Sequence, residues 1–474
     1  MRRNAIALFV GVFLIAACGS RLTDEQRAAL ATDSGSNTAD VLDGPGGSND
    51  PDGTTTTTRA KVAGGGSETA GPSDDGTSGP VDGSPDDDGG GVVVVGGSSC
   101  GGGADSDVGV SETEIKIGNV STISGPIPGF GQTGVNAVKA YVNFVNATGG
   151  VCGRKLTLVT ADDRLQSGTN KSEHDKLSDQ VMGFVGGTTV VDDGGAQSIN
   201  GSNIAYTGLA ITDAMISSAN NFPTTPLDPA SKGNNAAAIF RYLKDVEGVS
   251  KAGLIAPAQA AAKARAADYR ADFENAGIPV VLDAEVAVTE TNYAGVAQNV
   301  KNAKVDVLVT TLEITGMSNL ARDLQTVGYF PKVPFYGAQA YGRDFLSRAG
   351  EAAEPTVLGL AFSILEDAGS VPAINDFLTW YQNTNPGADI DFFAIQSWVA
   401  ADLYVTALRQ VAGEPTRDKV LAQLQGIKDY DANGFIAPIT PAAKQGPRCF
   451  MIAKVSGGKW VRAHPSSGFE CGYA

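Results

Sequence analysis

Few residues of this 474-residue chain are equipped for catalysis. Its two histidines are His174 and His464. His174 stands among Lys171, Glu173, Asp175 and Lys176, a polar helical stretch that predicts a solvated surface, and His464 follows the last predicted strand. No Gly-x-Ser-x-Gly elbow falls at a predicted strand-to-helix turn, so nothing sets a nucleophile beside a base. A secreted hydrolase is the rival class, and these residues favour a non-catalytic binder. Gly129, Gly131 and Gly134 form a Gly-x-Gly-x-x-Gly before a helix. A dinucleotide fingerprint belongs at the strand-to-helix turn, but Ser121 to Pro128, with two prolines, intervenes after Val120. The alternative is a flexible loop entering a helix N-terminus whose backbone amides can meet an anionic ligand group. No cofactor is expected.

The cysteines carry other chemistry. Arg2 and Arg3 precede an uncharged, mostly apolar run from Ala5 to Ala17, which ends in Ala16, Ala17 and Cys18. Thirteen residues are too few to span a bilayer, which needs about 20, but they suit the core of a cleaved signal. This segment resembles a bacterial lipoprotein signal peptide over residues 1–17, with Cys18 as the lipidated new N-terminus and the rest of the chain outside the cytoplasm. An uncleaved anchor would give the same placement. Cys100, Cys152, Cys449 and Cys471 remain, an even number that allows three pairings. Cys449 and Cys471 flank a predicted hairpin, Phe450 to Val455 and Lys459 to Arg462, which favours that bridge; Cys100 with Cys152 follows by elimination. With no Cys-x-x-Cys or His-x-x-x-His spacing, no metal site is expected.

Residues 18–107 read as a tether. Runs such as Thr54 to Thr58 and Asp86 to Asp88, with few large apolar side chains, offer too little burial to offset the entropy of ordering, and the segment is expected to be disordered. Between Asp33 and Asp107 lie fourteen acidic residues against Arg59 and Lys61, so most of the net charge of −17 belongs to the tether. No basic patch exists for nucleic acid.

From Val108 onward the chain is long enough for two lobes. Ile115, Ile117 and Val120 predict a strand, and Val135, Val138, Tyr141, Val142 and Val145 one face of a helix. Further strands are expected at Leu156 to Thr160, Phe184 to Gly186, Ile204 to Thr207, Gly253 to Ala256, Val280 to Leu282, Val305 to Thr311 and Pro334 to Tyr336, with helices between most of them. That alternation predicts parallel sheets covered by helices. Helices around Ile374 to Gln382, Phe393 to Val411 and Arg417 to Gln425 then precede the hairpin.

Glu114-Ile-Lys-Ile-Gly118, Ser124-Gly-Pro126, Phe130-Gly131, Val145-Asn-Ala-Thr-Gly-Gly150, Gly153-Arg-Lys155 and Asp162-Asp163 follow one another in a telling order. Asn275-Ala-Gly277, Val305-Asp306 and Phe393-Ala-Ile-Gln-Ser-Trp398 complete it. In this order and spacing the chain resembles the periplasmic binding proteins of fold type I, in the branch of the leucine/isoleucine/valine-binding protein, over nearly all of 108–474. The resemblance implies an α/β fold of two doubly wound parallel-sheet lobes joined by three crossovers. One lobe would comprise 108–225 and 366–448, the other 226–365 and 449–474.

The resemblance also implies an interlobe cleft for a small ligand. Phe130 and Phe393 match its aromatic positions. Thr188-Thr189-Val-Val-Asp192-Asp193 matches a serine cluster and Thr212 a threonine after the next strand, in a lobe whose hydroxyl and backbone groups hold an α-carboxylate in amino-acid-binding relatives. In the second lobe Ala261, near Gln259, stands at a tyrosine position, and Gln339 where relatives carry an acid for the ammonium. Glu313 could supply that charge, or be a solvated loop carboxylate. Phe130 and Phe393 could equally be core residues, and Asp192 and Asp193 helix caps. The function implied is a lipid-anchored solute-binding protein that delivers a branched-chain amino acid, or a related amide or organic acid, to a membrane ABC permease. A receptor-like sensor on the same fold is the alternative.

Overall fold

A computed structural model describes residues 105–127, 129–225, 236–354 and 356–473. Twelve strands form two sheets, and each sheet reverses its strand order once. The first has the order β2-β1-β3-β4-β5, with β1 (Glu114–Ser121), β2 (Lys155–Asp162), β3 (Phe184–Val185), β4 (Tyr206–Gly208) and β5 (Asn221–Pro223), all parallel. In β1, Ile115 and Ile117 are buried on the alternation that the sequence predicts.

Helices α1 (Gln132–Ala147), α2 (Ser167–Ser178), α3 (Asp193–Ile199) and α4 (Asp213–Ser217) connect these strands. The second sheet begins after α5 (Ala237–Glu247) and alternates β6 (Ala252–Pro257), α6 (Ala260–Asn275), β7 (Val280–Val286), α7 (Ala294–Ala303), β8 (Val307–Thr310) and α8 (Ile314–Thr326). Next come β9 (Val333–Phe335), α9 (Arg343–Ala349) and β10 (Val357–Leu360). Every residue of β6 is buried, as a strand covered on both faces requires.

The chain then returns to the first sheet with α10 (Pro372–Thr384), α11 (Phe392–Gln410) and α12 (Arg417–Gly426), and α10 and α11 pack against α1. Tyr141, Phe377 and Trp398 join the three in an edge-to-face cluster, with ring centroids 4.9 and 5.3 Å from Trp398. Finally β11 (Met451–Ser456) and β12 (Lys459–His464) add an antiparallel hairpin to the second sheet, in the order β12-β11-β10-β9-β8-β6-β7.

The fold is thus α/β with two mainly parallel sheets, and the chain passes between them three times. Thr224 and Thr225 at the start of the first crossover both donate to Gln396 Oε1, at 2.9 and 2.5 Å. The other two crossovers hydrogen-bond to each other: Ser363 N donates to Phe435 O and Ala437 N to Ala361 O, both at 2.8 Å.

Cys449 is bonded to Cys471, and Cys152 is also disulfide-bonded; Cys100 and Cys18 lie outside the described residues. The folded part starts before Val108. Ser106 Oγ donates to Pro415 O at 2.5 Å, and Arg417 N to Asp107 Oδ2 at 2.8 Å, so these two residues at the end of the expected tether hold the start of α12. The remainder of the tether and the signal segment lie outside the described residues.

His174 corrects a sequence expectation. Instead of standing in solvent it is 1% exposed, its ring 4.5 Å from that of Phe184, with Nδ1 2.8 Å from Asn170 O. The helix is polar in composition, but α3 packs on it through Gly195, where a Cβ would come within 2.7 Å of the imidazole Cε1.

Candidate interlobe site

In open parallel sheets ligands gather outside the carboxyl ends of strands, at the point where strand order reverses. That point lies between β1 and β3 in the first sheet and between β6 and β8 in the second. The loops at the first reversal carry Phe130, Thr188, Thr189 and Asp192. Those at the second carry Gln259 and Glu313.

In the first lobe the candidates form a connected set. Phe130 and Phe393 are half-buried and in contact, ring centroids 4.8 Å apart. Ser397, one turn further along α11, sits 3.2 Å from Thr188, hydroxyl to hydroxyl. Ser121 Oγ accepts from Thr188 N at 3.0 Å, and Thr122 Oγ1 lies 3.0 Å from Thr189 Oγ1. Thr122 also donates to the buried Asp163 at 2.7 Å. The sequence marked Thr188 and Thr189 but not their partners Ser121, Thr122 and Ser397, although Ser397 lies inside the Phe393 to Trp398 motif.

The Gly-x-Gly-x-x-Gly segment is what permits this arrangement. A Cβ on Gly134 would lie 2.4 Å from Thr188 Oγ1 and 2.7 Å from Ser397 Oγ, so α1 can approach the threonine loop only without a side chain there. The loop is also anchored rather than loose, since Gly129 N donates to Ile123 O at 2.8 Å and Gly131 N to Thr122 O at 2.7 Å.

Asp192 faces inward. It is 1% exposed; its oxygens accept from Ile211 N at 2.7 Å, Thr212 N at 3.0 Å and Thr212 Oγ1 at 2.5 Å. It stands at the N-cap position of α3 without capping it. Burial pushes its carboxyl up to about 6, against the pull of those bonds. Thr212 in turn caps α4, accepting from Met215 N at 3.4 Å. The pair therefore fixes one loop on another, and Asp213, the next residue, leaves its carboxylate on the exposed surface. Neighbouring Asp162 is the opposite case: against the upward push of burial, Ser124 Oγ and the amides of Ile123, Ser124 and Arg164 hold it down to about 2.

In the second lobe Gln259 is exposed at the start of α6, and Ala261 follows within that helix. Thr311 Oγ1 donates to Ala262 O at 3.4 Å, which ties the loop after β8 to the first turn of α6. Glu313 is exposed but not idle: it caps α8, its two oxygens accepting from Thr315 N at 2.6 Å and Gly316 N at 2.5 Å. Gln339 lies in the short turn Ala338–Ala340 after β9, half-buried, its Oε1 folded over Gly337. That turn packs against α11, so Gln339 is the candidate of the second lobe carried to the helix that bears Phe393. Among the described residues neither Gln259 nor Glu313 is hydrogen-bonded to the first lobe. No group of three or more His, Cys, Asp or Glu that could hold a metal occurs among the described residues.

Two reversed parallel sheets, three crossovers and facing strand-end loops carry a recognisable signature, and the sequence model of the family described as "periplasmic binding protein" matches residues 114–459. The chain belongs to the periplasmic binding protein family. Solved structures share the fold of this binding protein at low identity. A fatty acid ABC transporter substrate-binding protein from Thermomonospora curvata superposes with a TM-score of 0.65 at 19% identity, covering 78% of this chain and 95% of that one. A branched-chain amino acid ABC transporter protein from Thermus thermophilus with bound valine gives 0.64 at 17%, covering 76% and 97%. The corresponding protein of Streptococcus pneumoniae, in complex with isoleucine, gives 0.60 at 17%, covering 74% and 100%. No curated protein sequence matches the chain significantly.

Proposed function

We propose that this protein is an extracytoplasmic solute-binding lipoprotein, anchored through Cys18, that closes two lobes on a small amphipathic ligand and passes it to an ABC permease without catalysing a reaction. The observation that carries this reading is the contact of Phe130 with Phe393 beside the Thr188 and Ser397 hydroxyls, an apolar wall next to polar groups at a strand-order reversal. The bound valine and isoleucine of the neighbouring structures support a ligand of that size. Glu313 already serves two amides of α8, which favours an amide or organic acid over a zwitterion. Closure would then be a shift of population toward the form that touches the ligand from both sides.

A thermal-shift screen of amino acids, their amides, and aromatic and aliphatic acids tests the reading. A ligand at 100 times its Kd stabilises by about 2.7 kcal/mol. A hit whose effect is lost in Phe393→Ala supports the cleft; a panel without any hit counts against it.

A further inference from the structure

Beside the second crossover lies a cavity of about 440 Å³ whose lining includes none of the residues assigned to the cleft. This is within the range of about 300–1,000 Å³ typical of small-molecule sites. Its walls come from both lobes: Leu346 of α9 and Trp460 of β12 on one side, Leu378 of α10 and Ile390 on the other, with Leu365 of the second crossover between them. Trp460 is held in place, its Nε1 donating to Gly342 O at 3.2 Å. These side chains make an apolar chamber.

The rim is cationic. Arg343 and Lys459 line it, both exposed, and neither has an acidic partner among the described residues. Asp344, beside Arg343, is taken by Arg348 at 2.7 Å. The one acid of the lining, Glu366, is engaged by the Tyr341 hydroxyl at 2.8 Å, and Gln382 by the carbonyl of Ala388 at 3.3 Å. Two exposed cations thus stand against the single carboxylate of the lining, which the Tyr341 hydroxyl holds, over an apolar chamber.

We propose that this cavity binds a small apolar monocarboxylate, its chain between Leu346, Leu378 and Trp460 and its carboxylate at Arg343 and Lys459. None of the residues lining it is a candidate for the ligand in the cleft. Titration calorimetry on the full-length chain with octanoate, and with octanamide as its uncharged isostere, tests it on four proteins. These are the parent, Arg343→Gln with Lys459→Gln, Leu378→Trp, and Phe393→Ala. Because the two cations are exposed, their joint removal should weaken octanoate about fivefold and leave octanamide alone. Added salt should bring the parent toward the same value. Leu378→Trp, which fills the chamber, should abolish the octanoate isotherm that Phe393→Ala retains. An isotherm insensitive to both cavity variants and lost in Phe393→Ala would place octanoate in the cleft and overturn the proposal, as would the absence of any octanoate binding.

Discussion

Thr133 Oγ1 donates to Asp391 Oδ2 at 3.0 Å, and the other oxygen of Asp391 accepts from Ala394 N at 2.9 Å. One carboxylate therefore fastens the first turn of α1 to the cap of α11, and so aligns the two helices next to Phe130 and Phe393. Asp391 also lies opposite Gly342 of the second lobe in an isolated antiparallel bridge. Asp391→Ala should cost about 1–2 kcal/mol, the loss of a cap together with a buried acceptor, as measured by denaturant unfolding. Ligand affinity should fall with it, because the aromatic pair loses its alignment.

Gly134→Ala should be among the most damaging small substitutions in the chain. Its methyl would overlap the Thr188 and Ser397 hydroxyls, and overpacking of this kind costs about 1–3 kcal/mol. The double variant with Thr188→Ala, which removes the nearer clashing hydroxyl, should cost less than the two single variants added together in the same unfolding measurement, whereas Gly149→Ala, which would meet nothing within 4 Å, should show only its backbone cost.

Stability should depend on His174 with a definite sign. Burial lowers its folded value to about 4 from the ordinary 6.5, although Asn170 O, Asp163 and Asp175 pull the other way. Its contribution is whole above pH 6.5 and is lost as the pH falls from 6.5 toward 4, because only the unfolded chain takes up the proton there. Asp192 opposes this: with its folded value raised to about 6, its contribution is present at low pH and lost as the pH rises through 6. Melting curves at pH 7.5, 5.5 and 4.5 should therefore show His174→Gln losing less stability on acidification than the parent. Parallel curves for the two proteins would refute the assignment.

The charge of the cleft can be read from two substitutions. For an amide or organic acid, Glu313→Gln should change affinity little and cost only part of a helix cap, while Gln339→Glu should weaken binding. For a zwitterionic amino acid the pattern inverts, with Glu313→Gln weakening it by at least about tenfold, equivalent to about 1.4 kcal/mol. Calorimetry with the best ligand of the screen separates the two.

The layers were legible because burial writes a strong pattern. A fully apolar Ala252 to Pro257 and the stripe from Val135 to Val145 announce a covered strand and a packed helix. Not legible were β5, three residues ending in proline, and β10, interrupted by Gly359, since so short a run carries no period. The positions around the cleft came from the family resemblance, but residue type does not tell where a carboxylate points. Asp192 and Glu313 both stand at strand ends; one turns inward to Thr212 and the other back onto its own helix. His174 misled for a related reason, because its burial is created by Gly195 on another helix and not by its own neighbours in sequence.

The interleaving of the two sheets also orders the chain in time. During synthesis the N-terminus emerges first, and β1 to β5 are made early, yet α10 and α11, which pack on α1, appear only after ten strands are complete. The second sheet waits longer still, since its edge pair β11 and β12 is made last. The first sheet therefore stays uncovered on one side until α10 and α11 are made, and the second lacks its edge pair until β11 and β12 follow. Until β11 and β12 are made the second sheet ends at β10, and removing both strands should expose that edge.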